Sequence, residues 1–223
     1  MHVEVPKAKF ASIREFAGEY LMIVISIATA LALEHAAQTM HHNHLAHEAT
    51  EIMDREIQSN ITSIQDARKK NAVQLKTLMH LGEVLLADIK SKQPDAAILD
   101  HFKQEAKQDF NLLIATPSPH CEAWDVAVAN QSASWLPPET LHKYSTAYSI
   151  QRRLPQMVTE NIATIFSGAR MIDMQSDLEA GIANPRDVFR SLNQMIGVHN
   201  ITDLALETVE SKLLKNFPKG AVH

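Results

Sequence analysis

An uncharged run, Tyr20-Leu-Met-Ile-Val-Ile-Ser-Ile-Ala-Thr-Ala-Leu-Ala-Leu33, lies between Glu19 and Glu34, in a stretch with no proline from Pro6 to Pro94 and only Gly18 and Gly82 as glycines. With no helix breaker, the stretch predicts one helix that starts before the apolar run and continues far beyond it. The run is 14 residues long. At about 1.5 Å per residue it covers roughly 21 Å of a hydrocarbon core about 30 Å thick. Adding Phe16, Ala17 and Gly18 on one side and Ala36 and Ala37 on the other brings it to about 20 residues, a single span with Glu19 and Glu34 at headgroup depth. The sequence therefore predicts a transmembrane helix over 20–37. Ala28-Thr-Ala30 and Ala30-Leu-Ala32 resemble small-residue cleavage sites, so a cleaved signal is one alternative. A buried helix of a soluble domain is another. Small residues at Ser26/Ala30 and Ala28/Ala32 permit close helix pairing in lipid, a pattern common by chance.

Charge sets the expected orientation. Lys7, Lys9 and Arg14 precede the run, and the first Lys or Arg after it is Arg55. Because positive flanks stay on the cytoplasmic side, residues 1–19 are expected inside and 38–223 outside.

The remaining chain reads as all-α. Of the 223 residues, six are glycine and 5% are aromatic, which disfavours sandwiches, barrels and glycine-looped nucleotide folds. A net charge of −5 offers no basic excess for a phosphate backbone, so nucleic acid is not an expected partner. Cys121 is the single cysteine, which excludes an intramolecular disulfide and a cysteine-based zinc site.

Three-and-four spacing marks the buried faces. Ile57, Ile61, Ile64, Leu75, Leu78, Leu85 and Ile89 form a stripe interrupted at Arg68 and Asn71. That interruption disfavours a long uniform coiled coil and predicts an amphipathic helix packed on neighbours in its own chain. Ser91-Lys-Gln-Pro-Asp95 predicts a turn with Asp95 capping the next helix, which carries Leu99, Phe102, Ala106, Phe110 and Leu113 and folds back antiparallel. Thr116-Pro-Ser-Pro119 breaks the chain. A short helix follows from Cys121 to about Asn130, then a loop at Ser132–Pro137, then a helix opened by Pro137-Pro138 that carries Leu141, Tyr144 and Tyr148 to a kink at Pro155. Val158, Ile162, Ile165, Ala169 and Ile172 continue the spacing. Asn184-Pro185 starts the last helix, with Val188, Leu192, Met195, Leu206, Val209 and Leu213 inward and a bend expected at Gly197–Asn200. An antiparallel bundle of about four long helices and a short one buries all these stripes.

His35, His41, His42, His44 and His47 form the most reactive-looking cluster, since neutral imidazole binds zinc, copper or nickel. Helical spacing places His41, His44, His47, Glu48 and Glu51 as the metal-ligand candidates. A tight site needs a further ligand from another element or subunit, and neither HExxH nor paired Glu-x-x-His repeats occur. The reading preferred here is a polar collar at the membrane surface, without metal or cofactor. Trp124, Trp135, Tyr144 and Tyr148 read as core rather than pocket, His120 and Cys121 as non-interacting neighbours with the thiol buried, and Lys69-Lys70 and Arg152-Arg153 as solvated pairs. No nucleophile elbow or phosphate loop is present, so no catalytic residue and no enzyme are expected.

Arg14-Glu15-Phe16 leading into Met22-Ile-Val-Ile-Ser-Ile-Ala-Thr-Ala-Leu-Ala-Leu-Glu34, with Ala123-Trp-Asp-Val-Ala127, Leu136-Pro-Pro-Glu139 and Tyr144-Ser-Thr-Ala-Tyr148, resembles a widespread family of Gram-negative bacterial single-pass membrane proteins, uncharacterised in activity. Many members carry tryptophan and arginine after the anchor, where this chain has Met40-His-His-Asn-His-Leu-Ala-His47. The resemblance implies an inner-membrane protein with a periplasmic helical domain over 38–223 and supplies no reaction. Two functions fit: a non-enzymatic interaction or scaffolding protein of the envelope, as a homo-oligomer or with an envelope partner, and an envelope sensor or metal-binding protein that uses the histidine cluster.

Overall fold

The structure, a computed structural model, describes residues 13–106, 113–165 and 168–218. Lys7, Lys9 and Phe110 lie outside those residues, as do the side chains of Arg14, Ile165, Ala169 and Ile172. The expected all-α class is observed: among the described residues every regular element is helical. The order is α1 (Ile13–Lys90), α2 (Asp95–Ala106), α3 (Glu122–Ala129), a 3₁₀ turn at Ser132–Trp135, α4 (Pro138–Ile165), α5 (Gly168–Ala180) and α6 (Pro185–Asn216). The chain divides into two units, residues 1–48 and 49–223, and α1 contributes to both.

Within the second unit, α1 buries Met53, Ile57, Ile61, Ile64, Leu78, Leu81 and Leu85 completely. Specific side-chain pairs fix the direction of each neighbour. His101 of α2 meets Asp88 and Glu105 meets His80, so α2 runs antiparallel to α1. Tyr144 of α4 donates to Asp54 and Gln151 accepts from Asn60, so α4 runs parallel to α1. Gln58 donates to the Phe217 carbonyl, while Arg68 contacts Glu210 and Asp203, so α6 is antiparallel again. The result is the up-down-up-down arrangement of a helical bundle. One core cluster joins Leu78, Leu81 and Leu85 to Ile98, Leu99 and Phe102 of α2 and to Val188, Leu192 and Met195 of α6.

The second leg differs from the expected long helix. Leu113 lies outside any helix and is 79% exposed. Residues 113–121 instead form a strap without regular secondary structure, in which Pro117 and Pro119 cannot donate helical hydrogen bonds. The strap runs down α1 between two asparagines. Asn71 pairs with Ala115, and Asn60 pairs with His120. Eleven residues of α1 rise about 16 Å, and the five residues from Ala115 to His120 reach that far only when nearly fully extended.

Local stop and start signals act as expected elsewhere. Asn184 accepts from Arg186 N–H at 2.9 Å, with Pro185 in the first turn of α6. Pro137 accepts the first bond of α4, from Leu141 N–H at 2.9 Å. Gly181, with φ +74°, closes α5: Ile182 N–H bonds the Asp177 carbonyl and Gly181 N–H the Leu178 carbonyl. Asp95 stands in the first turn of α2, and Pro94 accepts the first bond, from Ile98 N–H. Helix α6 runs unbroken through Gly197–Asn200, and α4 continues through Pro155.

Candidate functional site

Two regions stand out, one in each unit. In the first, α1 presents large apolar side chains on every side: Tyr20, Leu21, Met22, Ile23, Ile25, Ile27, Leu31 and Leu33 are all more than half exposed. One helix among the described residues is long and apolar enough to cross a membrane, and none of its apolar window is buried. Two of its polar side chains bond within the helix. Ser26 Oγ donates to the Met22 carbonyl and Thr29 Oγ1 to the Ile25 carbonyl, each at 2.8 Å. In a medium without water such back-bonds remove the cost of carrying a hydroxyl.

The histidines follow directly. His41, His44, His47, Glu48 and Glu51 are all exposed and recur every three or four residues along one face of α1. The His41 and His42 rings stand 6.1 Å apart, tilted by 47°. Among the described residues no group of three or more His, Cys, Asp or Glu side chains is placed so that it could hold a metal ion.

The second region is the strap and the groove beside it. Asn60 carries no signal in the sequence and Asn71 only breaks an apolar seam, yet each engages both the N–H and the C=O of one strap residue. Asn71 Nδ2 donates to the Ala115 carbonyl at 2.9 Å and its Oδ1 accepts from Ala115 N–H at 2.8 Å. Asn60 does the same to His120 at 2.7 and 2.9 Å and also donates to Gln151, which is fully buried. Below the strap, the Glu56 carboxylate accepts from Ala123 N–H at 3.1 and 3.2 Å, placing negative charge at the N-terminus of α3. Ser59, Ser63, Asp66 and Lys70 of α1, with Thr116 of the strap, border an open groove of about 700 Å³.

Around the strap's end, Trp124 stacks on Tyr148 with ring centroids 5.6 Å apart. Tyr144 and Tyr148 are core, as expected, and burial pushes both phenols well above their ordinary range, with Asp54 adding to the effect on Tyr144 and Glu56 on Tyr148. Trp135 departs from the expectation, being 44% exposed. Cys121 is half-buried rather than buried, and desolvation raises its thiol, so it carries little thiolate. His120 turns toward Glu122, at 3.5 Å. Arg152 pairs with Asp125, and Lys69 lies 3.5 Å from Asp66.

The seam residue Arg68 joins α1 to α6. Its guanidinium contacts Asp203 at 2.8 Å, Glu210 at 2.7 Å and Glu207 at 3.5 Å. Hydrogen bonds to Asp203 and Glu210 hold it more firmly protonated than a free arginine. Burial pushes the Glu210 carboxyl upward, but hydrogen bonds from Arg68 and Gln65 outweigh that and leave it below the usual carboxylate range. Farther along α6, Ser191, His199 and Thr202 are buried, and their side-chain polar atoms find no hydrogen-bond partner among the described residues.

Comparisons with protein-family models, with curated proteins and with solved structures find no match. The fold and the exposed apolar segment thus define the class by themselves: an all-α helical bundle whose first helix includes one candidate membrane span.

Proposed function

We propose that the chain is a non-enzymatic, single-pass protein of a bacterial inner membrane whose helical bundle serves, on the periplasmic side, as an interaction or scaffolding module. The observation that carries this reading is the apolar run of α1, exposed all round from Tyr20 to Leu33. Burying one such side chain is worth about 1.5–3 kcal/mol, so a segment of this kind is driven out of water. Lipid surrounds a lone helix equally on all sides, whereas a core covers one face. The positive flank Lys7, Lys9 and Arg14 supports the cytoplasmic N-terminus. In the bundle, side-chain hydrogen bonds hold the strap and join α1 to α6, which suits a rigid surface offered to a partner.

Alkaline carbonate extraction of membranes from expressing cells tests the anchor. The intact chain stays in the pellet if α1 spans the bilayer. Recovery in the supernatant contradicts the reading. Replacing Ile23 and Ile27 with lysine is expected to move the chain to the soluble fraction, because a lysine at mid-bilayer costs about 2.5–3.5 kcal/mol.

A further inference from the structure

The strap leaves one edge of its backbone unused. Ala115 gives both its N–H and its C=O to Asn71. In an extended chain successive residues turn these groups to opposite sides, so Ile114, Thr116 and Ser118 present theirs along the other edge. Those three form no backbone hydrogen bond among the described residues. Pro117 and Pro119, which lack an N–H, alternate in step with Ala115, so the outward edge keeps every donor. The groove follows that edge. Ser59 and Lys70 directly precede Asn60 and Asn71 in sequence and so stand about 100° round α1 from them, with Ser63 and Asp66 between. These four face Thr116 and Pro117 across the groove, opposite the side on which the asparagines hold the strap. Asp66 is offset by Lys69 at 3.5 Å, whereas Lys70 makes no ion pair among the described residues and leaves the groove a positive end.

We infer that the groove takes an extended peptide segment of a partner protein, added as a strand to the strap, with an acidic side chain of that peptide at Lys70. This rests on the reading of the bundle as an interaction module and names its docking surface. Main-chain bonds to Ile114, Thr116 and Ser118 set the register, and alternate side chains of the peptide enter the groove. From Ser59 to Lys70 α1 rises about 16 Å, the length of about five residues of extended chain. The small side chains of Ala67 and Ala115 let a backbone approach, and the Ser59 and Ser63 hydroxyls donate to or accept from its far edge. A glycan fits less well, because sugar rings stack their apolar faces on aromatic side chains and none lines the groove among the described residues.

The test is selection of a random heptapeptide library, displayed on phage, against the full-length protein in detergent micelles, followed by fluorescence anisotropy with the most enriched peptide made synthetically. Enriched peptides are expected to carry an acidic residue. N-methylation of alternate peptide amides should abolish binding in one register and spare it in the other, as an added strand requires. Binding should weaken about 10-fold in Thr116→Pro, which removes one outward donor, and about 2- to 5-fold in Lys70→Ala, the second loss fading at high salt. Ser63→Tyr fills the groove without altering the strap's backbone, and should abolish binding even if Thr116→Pro unsettles the strap. No enriched sequence, binding indifferent to the register of N-methylation, or binding unchanged in Ser63→Tyr overturns the proposal. A tetramer of N-acetylglucosamine that binds the parent but not Ser63→Tyr, with no peptide enriched, assigns the groove to a glycan and overturns it too. The anchor is judged separately: a chain that stays in the carbonate pellet yet enriches no peptide loses the groove alone.

Discussion

Asn71 binds Ala115 through both of that residue's peptide groups, at 2.8 and 2.9 Å, so one side chain takes the place of a neighbouring strand. With Asn60 on His120 three helical turns away, the strap is tied to α1 at both ends. Asn71 is 2% exposed, so its own amide depends equally on the strap.

Replacing Asn71 with alanine leaves the Ala115 N–H and C=O without their partners and is expected to cost about 1–3 kcal/mol. Urea unfolding of the parent and variant measures the loss. Hydrogen exchange should show the Ala115 amide losing protection while the buried part of α1 around Ile57 and Ile61 keeps its own.

Arg68→Met removes the charge that offsets the burial of Glu210 and is expected to destabilise the α1–α6 contact by about 1–3 kcal/mol. The pH dependence has a definite sign. Because the folded Glu210 carboxyl is depressed, its contribution is fully present above the unfolded carboxyl range, near pH 4.3, and is lost as pH falls through the folded value. Unfolding of the parent and of Arg68→Met, followed from pH 7 to pH 3, should converge at the acid end.

His199 is 1% exposed, and burial depresses its pKa below the ordinary histidine value. The unfolded chain takes up a proton near pH 6.5 while the folded chain resists it, so stability declines as pH falls from about 6.5 toward the folded value. His199→Leu removes a buried polar ring that has no hydrogen-bond partner among the described residues and is expected to flatten that part of the profile. Thermal unfolding at pH 7.5 and pH 5.5 gives the comparison.

Lys92 ends the turn after α1 with φ +58°, a conformation that side chains with a Cβ resist. Lys92→Gly is expected to gain up to about 1 kcal/mol, and Gly181→Ala, at φ +74°, to lose about as much. Chemical denaturation midpoints of the two variants should move in opposite directions.

What the sequence made legible is what local chemistry decides. The caps at Asn184-Pro185 and Pro137-Pro138, the inward stripe of α6 and the uninterrupted α1 all follow from neighbours within a turn or two. Less legible were the pairings between distant segments. Asn60 and Asn71 meet the strap 60 and 44 residues away, and Glu105 meets His80 across 25, with no short motif to announce either. Leu113 fits the helical spacing of α2 yet lies exposed, because the strap's prolines and the two asparagines favour an extended chain there. Arg68 and Asn71, legible as breaks in an apolar seam, did point to partners within the same chain, though not to which ones.

Membrane topology is the most direct test of the central claim. An alkaline phosphatase fused to the carboxyl end and expressed in a Gram-negative host should be active, because the reporter works only after export across the inner membrane. An inactive fusion present at full length in the cytosol contradicts the account.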